Sequence, residues 1–355
     1  MGRFNDVRRF DEIDSTNRWV AEQARGGAAD GLVAVAGMQS AGRGRLDRTW
    51  IAPTGSALLC TVLVRPQMPI TRWHWLNLAM AVAAQDAVRL LGETFADSGT
   101  KAAAPSAEES NGDMVDGGAL GVSPLGVSPL GVERGIGASA VAVKWPNDLI
   151  VPSRGDRKLA GILAEMVLPA KGEGAVAVGI GLNVRRPAEV DPDVAARGVW
   201  LDELFSAPTE LLSARTKVLS TPTNLLSAPT NLLSAPTNDP KRSNSESTNI
   251  GLSNAEKAYG PTVEEVLSVL LSEFERQVTK VEDHPDVFLE QYRQRCITVG
   301  REVRAMLPNS EIVGTATGID FDGQLLVTAA DGTIHHINAA DVVHIRPASE
   351  SHNLT

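Results

Sequence analysis

The sequence is poor in cysteine, in aromatic residues, in basic charge and in long apolar runs, and each shortage removes a class of explanation. Only Cys60 and Cys296 occur in 355 residues. They are far apart and lack neighbouring ligand types, so neither a disulfide framework nor a protein metal site is expected, and a reducing compartment fits. Acidic residues outnumber basic ones by 43 to 33, for a formal charge of −10. Affinity for polyanions rests on basic surface, so nucleic acid and anionic membranes are not expected partners. No run approaches the ~18 apolar residues that cross a bilayer, and Met1-Gly2-Arg3-Phe4-Asn5-Asp6 lacks the apolar core of a signal peptide. A cytoplasmic protein is therefore expected. What remains is ordinary globular composition, 43% hydrophobic and 21% charged, in a chain long enough for two folded units.

Against that acidic background one basic stretch stands out, Gly42-Arg43-Gly44-Arg45-Leu46-Asp47-Arg48-Thr49-Trp50. Glycines let a backbone bend close to a ligand, and guanidinium groups donate planar, charge-assisted hydrogen bonds to carboxylate or phosphate. The segment reads equally as an anion-wrapping loop or as a solvated basic turn, so its neighbours must decide.

Residues 1–95 read as compact α/β structure. Asp14 or Ser15 caps a helix carrying Trp19, Val20 and Ala24, which Gly26-Gly27 stops. Leu32–Ala36 and Ala57–Val64 are short apolar runs with the look of buried strands, and Thr71 opens a helix through Trp75, Leu78, Ala79 and Val82. From about 97 to 139 the composition turns to Gly, Ala, Ser and Pro, and Leu120-Gly121-Val122-Ser123-Pro124 repeats directly as Leu125–Pro129. A second low-complexity insertion spans about 205–259, where a seven-residue unit restarts at Ser206, Ser213, Ser220, Ser227 and Ser234. Its period suggests a coiled coil. However, Pro208, Pro222, Pro229 and Pro236 would each cost a helix ~3 kcal/mol, so an irregular loop is expected.

Between the insertions, strands are expected at 140–144, 159–167 and 175–184. Thr262 with Glu265 forms a capping box for a helix through Val266, Leu270, Phe274 and Val278. The turn dipeptides Asp322-Gly323 and Asp331-Gly332 then separate β-branched runs, which reads as an antiparallel meander. The expected organisation is a catalytic or binding unit over 1–290, a small β-barrel over 297–347, and a tail over 348–355.

Further polar groups fall at strand or helix ends, where α/β sheets bind ligands. Asp14-Ser15-Thr16-Asn17 supplies hydroxyls, an amide and a carboxylate, or simply a helix cap. Gln39 offers both a donor and an acceptor. Lys144-Trp145-Pro146-Asn147-Asp148 is a constrained polar turn, because Pro146 holds Trp145 extended. Lys158 opens the run Lys158–Leu163, and Gly179-Ile180-Gly181-Leu182-Asn183 permits close backbone approach to a ligand. His335, His336 and His344 have no metal-ligand spacing.

Taken in order, Asp-Ser-Thr-Asn, Gln, Gly-Arg-Gly-Arg-x-x-Arg-x-Trp, Lys-Trp-Pro-Asn-Asp, Lys-Leu-Ala-Gly-Ile-Leu and Gly-x-Asn closely resemble the biotin–protein ligases. The resemblance covers about 10–95, 140–200 and 260–347. It implies an α+β fold, a mixed sheet packed with helices like that of class II aminoacyl-tRNA synthetases, followed by an SH3-like β-barrel. It implies ATP-dependent activation of biotin to biotinyl-5'-AMP, then transfer to a lysine of a biotin carboxyl carrier domain of acetyl-CoA carboxylase or a related enzyme. By motif position, Ser15, Thr16, Asn17 and Gln39 would bind the ureido ring. Arg43, Gly44, Arg45 and Lys158 would meet the rest of biotin, and Arg43, Arg45, Arg48, Trp50, Asn147 and Asn183 would meet ATP. Lys158, Arg45 and Lys144 would be catalytic, with Mg²⁺ held mostly by pyrophosphate oxygens, and Asp148 would orient or deprotonate the incoming amine. Many relatives carry an N-terminal helix-turn-helix domain; with thirteen residues before Asp14, none is expected here. A monomer or homodimer is expected. The alternatives are a lipoate or octanoyl ligase or transferase of the same fold, and a non-enzymatic biotin-sensing regulator.

Overall fold

Eight-residue apolar segments too short for stable helices but rich in Val, Ala and Leu pair as the centre of a mixed sheet. The computed structural model describes residues 2–45, 48–101, 141–168, 173–205, 260–307, 310–338 and 341–345. The two low-complexity segments therefore lie outside the described residues, apart from 97–101 and 205, as does the tail at 348–355.

Seven strands, β1 (Asp6–Ile13), β2 (Leu32–Gln39), β3 (Ala57–Val64), β4 (Ala142–Lys144), β5 (Asp148–Val151), β6 (Arg157–Val167) and β7 (Ala175–Asn183), form one sheet in the order β1-β2-β3-β7-β6-β5-β4. Only β1 and β2 run parallel, joined through α1 (Thr16–Arg25); the other pairs are antiparallel. Ser15 is the α1 cap, and Gly26 ends the helix, with Gly27 at φ 87°.

Alternation sorts the two faces of the sheet. On one face Leu58, Cys60 and Val62 of β3 and Val176, Val178 and Ile180 of β7 join α2 (Trp75–Lys101) and α5 (Val263–Asp283) in the main core. Residues 75–84 of α2 are apolar around almost the whole helix, as befits one buried between the sheet and α5. On the other face Leu63, Val167, Ala175 and Ala177 meet Val20, Ala21 and Ala24 of α1. Two short helices, α3 (Pro192–Arg197) and α4 (Leu201–Phe205), follow β7, and α6 (Pro285–Arg295) follows α5.

Two boundaries differ from expectation. Helix α2 begins at Trp75, not Thr71, because the chain after Pro69 first makes a 3₁₀ turn over Ile70–Arg72. It also continues to Lys101, five residues into the stretch read as an insertion. The capping box on α5 forms as expected, Thr262 accepting from the Glu265 amide and Glu265 from the Thr262 amide. Buried Asp86 on α2 accepts from Arg295 Nη1 (2.6 Å), Arg276 Nη2 (2.8 Å) and Gln277 Nε2 (3.2 Å), tying α2, α5 and α6 together.

The second sheet is all antiparallel, in the order β11-β10-β9-β8-β12, from β8 (Glu302–Leu307), β9 (Ser310–Ile319), β10 (Leu325–Thr328), β11 (Ile334–Ile337) and β12 (Asp341–His344). This is the SH3-like C-terminal unit. It meets the first sheet where Ile297 N donates to Val143 O and where the Trp145 indole donates to Gly323 O at the β9–β10 turn.

Candidate active site

The face of the sheet that carries α1 is where the polar motifs converge. Alternation aims Leu59, Thr61 and Leu63 of β3, Leu163 and Glu165 of β6, and Ala177, Gly179 and Gly181 of β7 to this side. The paired glycines leave a floor without side chains, since Gly161 lies opposite Gly181 and Leu163 opposite Gly179. A cavity of about 140 Å³ opens there, lined by Ser15, Thr16, Asn17, Gln39, the arginine loop and Lys158.

One end of the cavity is a hydrogen-bonded polar cluster. Gln39 Oε1 accepts from Thr16 N (2.7 Å) and Thr16 Oγ1 (3.1 Å), which turns the amide donors of Gln39 toward the cavity. Asn17 Nδ2 donates to Leu163 O (3.0 Å) and Glu165 Oε2 (2.9 Å). Fully buried Thr61 has its hydroxyl 2.8 Å from Thr16 Oγ1 and 2.7 Å from Asn17 Oδ1. An amide oxygen can only accept, so the single Thr61 proton goes to Asn17, and the single Thr16 hydroxyl proton is shared between Thr61 Oγ1 and Gln39 Oε1. The cluster is thus satisfied at its back and offers its remaining donors and acceptors forward.

The arginine loop closes over the other end. Gly44 N donates to Arg48 O (2.7 Å) and Trp50 N to Gly42 O (3.0 Å), making a narrow ladder in which Arg43 lies opposite Thr49. A Cβ on Gly42 would stand 2.3 Å from Trp50 O, so only glycine permits the closure. Arg43 pairs with Glu165 at 3.0 Å, and Arg45 donates to Asn147 Oδ1 at 3.2 Å. The Trp50 ring lies on the glycine floor, close to Gly181 and Gly161, and its Nε1 is buried without an acceptor among the described residues.

Lys158 reaches this face through an irregularity. The β5–β6 register shifts by one residue, so that Leu149 faces Ala160 while Ile150 faces Lys158. Leu159 and Ala160 consequently both enter the main core, and Lys158 is returned to the side of Gly161. Its ammonium pairs with Asp148 at 2.7 Å and lies 5.5 Å from the centroid of the Trp50 ring. Asn147 anchors the adjoining turn, donating from Nδ2 to Ile162 O and accepting at its carbonyl from Ile162 N.

Of the sequence-predicted residues, Ser15, Thr16, Asn17, Gln39, Arg43, Gly44, Arg45, Arg48, Trp50, Asn147, Asp148 and Lys158 share this cavity. Asn183 and Lys144 are not among its lining residues. Asn183 instead donates to Lys158 O and Val199 O, fastening the backbone behind Lys158. Thr61 and Glu165 are functional candidates that sequence reading missed, because each sits inside an apolar strand run. Their position on the same sheet parity as the glycines was the available signal.

Among the described residues no group of three or more His, Cys, Asp or Glu side chains could hold a metal ion. The two carboxylates lining or flanking the cavity, Asp148 and Glu165, are already paired with Lys158 and Arg43. Also among them, no helix is long and apolar enough to cross a membrane.

A hydrogen-bonding pocket beside a cluster of cations, on a mixed sheet followed by an SH3-like unit, suits a small polar ligand that carries or meets an anionic group. The family model for the Biotin/lipoate A/B protein ligase family matches residues 10–183, and that for the biotin protein ligase C terminal domain matches 298–345. The chain belongs to the Biotin/lipoate A/B protein ligase family, and its C-terminal match puts it among the biotin protein ligases, which are enzymes. The biotin–[acetyl-CoA-carboxylase] ligase of Mycobacterium tuberculosis is 29% identical over 94% of this chain and 87% of its own length. The bifunctional ligase/repressor BirA of Bacillus subtilis is 27% identical, over 52% of this chain and only 42% of its own length. The biotin protein ligase of Aquifex aeolicus, solved with biotin and ATP, shares the fold, with a TM-score of 0.58, 19% identity and coverage of 97% of this chain and all of that one.

Proposed function

We propose that this cavity activates biotin with ATP, forming biotinyl-5'-AMP and pyrophosphate, and then passes the biotinyl group to the ε-amine of a lysine on a biotin carboxyl carrier domain of acetyl-CoA carboxylase or a related carboxylase. The observation that carries this reading is the convergence of a urea-type hydrogen-bonding cluster with Lys158, Arg43 and Arg45 around one cavity. In this reading Ser15, Thr16, Asn17 and Gln39 bind the ureido ring. Such a site rejects analogues without the urea, because its own buried polar groups would then be left unpaired.

The first step brings two anions together: a carboxylate oxygen of biotin bonds to the α-phosphorus as the bond to pyrophosphate breaks. The protein's task is to hold the two groups in line and to neutralise the charge that gathers on phosphorus. Lys158, held by Asp148 over the glycine floor, serves this role, with Arg45 and, from the flanking turn, Lys144. Arg43, Gly44 and Arg48 close over carboxylate and phosphates, Trp50 covers the adenine, and Asn147 and Asn183 fix the nucleotide side of the site. Mg²⁺ bound with the nucleotide would be held mainly by phosphate oxygens and would supply further neutralisation of their charge, since Asp148 and Glu165 are paired with Lys158 and Arg43. In the second step the acceptor amine attacks the biotinyl carbonyl, AMP leaves, and Asp148 takes the proton released. Closure of the loop keeps water from the mixed anhydride. We assign the catalytic work to residues 1–290 and a supporting role to 297–347.

The test is the intact mass of an apo carrier domain after incubation with the purified chain, biotin, ATP and Mg²⁺. A gain of one biotinyl group, lost with Lys158→Ala, is the expected result. No gain with the wild-type chain, or modification by lipoate in place of biotin, overturns it.

A further inference from the structure

Among the described residues of the C-terminal sheet, His344 is a titratable group with its side chain only 6% exposed that the proposed chemistry leaves unused, and it stands in a continuous chain of polar contacts. Arg301 Nη1 lies 2.6 Å from Asp156 Oδ2 and 2.9 Å from His344 Nδ1. His344 Nδ1 is 3.3 Å from the same Asp156 oxygen, and its Nε2 is 3.2 Å from Thr298 Oγ1. Thr298 Oγ1, fully buried, accepts from the Trp145 amide at 3.0 Å. Arg301 can only donate, so its short contact selects the neutral Nε2–H form of His344, which donates to Thr298.

The two ends of this chain are significant. Asp156 stands two residues before Lys158 and Trp145 two residues before Asn147 and three before Asp148, so the relay spans the two segments that form the Lys158–Asp148 pair. Asp156 is also the only described non-glycine residue at positive φ, 60°, directly after Gly155 at 73°. A side chain at that φ disfavours the conformation, which persists only where its surroundings hold it. The one-residue register shift that turns Lys158 to the site face follows immediately. Arg301 is what grips the carboxylate at that point.

We propose that Arg301, His344 and Thr298 of the C-terminal unit are positioning residues for adenylation. Arg301, oriented by His344, holds Asp156 so that β6 enters with Lys158 on the site face, and Thr298 sets the turn carrying Asn147 and Asp148. The proposal rests on the adenylation reading above. The side-chain hydrogen bonds of Ser15, Thr16, Asn17, Gln39 and Thr61 run to each other, to Arg18, Leu163 and Glu165, and to no described residue of 298–345. Disturbing the relay therefore misplaces the reacting groups and leaves the ureido pocket intact.

The test compares wild type, Arg301→Ala, Arg301→Lys and Thr298→Val as full chains, by pyrophosphate release with biotin and ATP and by a crystal structure of Arg301→Ala. The expected result is a fall in kcat of about ten- to hundredfold for Arg301→Ala, the scale on which small misplacements act, with KM for biotin within about threefold of wild type. Arg301→Lys recovers part of the loss, and the crystal structure shows Lys158 parted from Asp148. Thr298→Val, nearly isosteric, gives the same kcat-only loss if Arg301→Ala does not fold. An unchanged kcat with the Lys158–Asp148 pair intact overturns the proposal, as does a biotin KM that rises in step with the kcat loss. A wild-type chain that releases no pyrophosphate defeats the adenylation reading instead, and the crystal structure then decides whether Arg301 holds Lys158.

Discussion

Replacing Gly179 by alanine puts a methyl where Asn17 already is. A Cβ built at 179 lies 1.9 Å from Asn17 Oδ1 and 2.9 Å from its Cγ, closer than real contacts allow. Asn17 cannot yield cheaply, because its amide is fixed by Leu163 O, Glu165 and Thr61. Displacing it breaks three hydrogen bonds at a 5% exposed residue; at about 1 kcal/mol each, the protein loses roughly 2–3 kcal/mol of stability. The same shift unseats Ser15 and Thr16 beside it, and one lost ligand hydrogen bond raises KM for biotin about tenfold. Gly181→Ala is the control, since the three atoms its Cβ would approach most closely all belong to the Trp50 ring, the nearest being Cε2 at 2.5 Å. That ring sits on a loop and its Nε1 has no acceptor among the described residues. Urea unfolding and pyrophosphate-release kinetics on both variants decide the matter. Gly179→Ala with a wild-type urea midpoint and biotin KM would refute the reasoning, and so would Gly181→Ala destabilising the fold as much as Gly179→Ala.

Three further outcomes follow from the same contacts. Burial, then the charges of Lys144 and Arg301, push the His344 pKa from 6.5 down to about 4. The unfolded chain therefore binds this proton first as pH falls. The His344 contribution is complete above about pH 6.5 and is lost progressively toward pH 4, on the order of 3 kcal/mol in all. Urea midpoints measured across that range should fall less steeply for His344→Gln than for wild type; parallel curves would contradict this. Asp86→Ala removes the buried acceptor shared by Arg276, Arg295 and Gln277, leaving Arg276 its pair with Glu273 and Arg295 its contact with Gln85, and should lower stability by about 2 kcal/mol, read as a lower urea midpoint, with biotin KM unchanged because Asp86 lies on the face away from the cavity. Glu165→Gln removes the charge that Arg43 docks on and should increase escape of biotinyl-5'-AMP into solution, measured by trapping it from single-turnover mixtures. Escape at the wild-type rate would mean that Arg43 holds the loop by other contacts.

Some of this was legible without coordinates. The run Ala57–Val64 is an eight-residue strand, and Thr262 with Glu265 closes a capping box, because both signals act over a few residues. Strand β1 was not legible, since Asp6–Ile13 alternates charge with little apolar content and becomes a strand only by pairing beside β2. Strand β5 and helix α6 were likewise missed: the first is only four residues long, and the second follows α5 after the single residue His284.

The order of motifs, the acidic balance and the cluster of arginines belong to the sequence alone, and they sufficed to suggest the class of ligand and of reaction. Which residues face the site was decided by the tertiary structure. Strand parity puts Thr61 and Glu165 on the glycine side of the sheet, where they hold Asn17 from behind, and hydrogen bonds to Lys158 O and Val199 O keep Asn183 on the backbone behind Lys158. A single register shift, following a left-handed Asp156 gripped from the C-terminal sheet, brings Lys158 onto the glycine floor. Parity is inverted by one extra residue, and no local pattern announces where that residue falls; only pairing between distant strands does so.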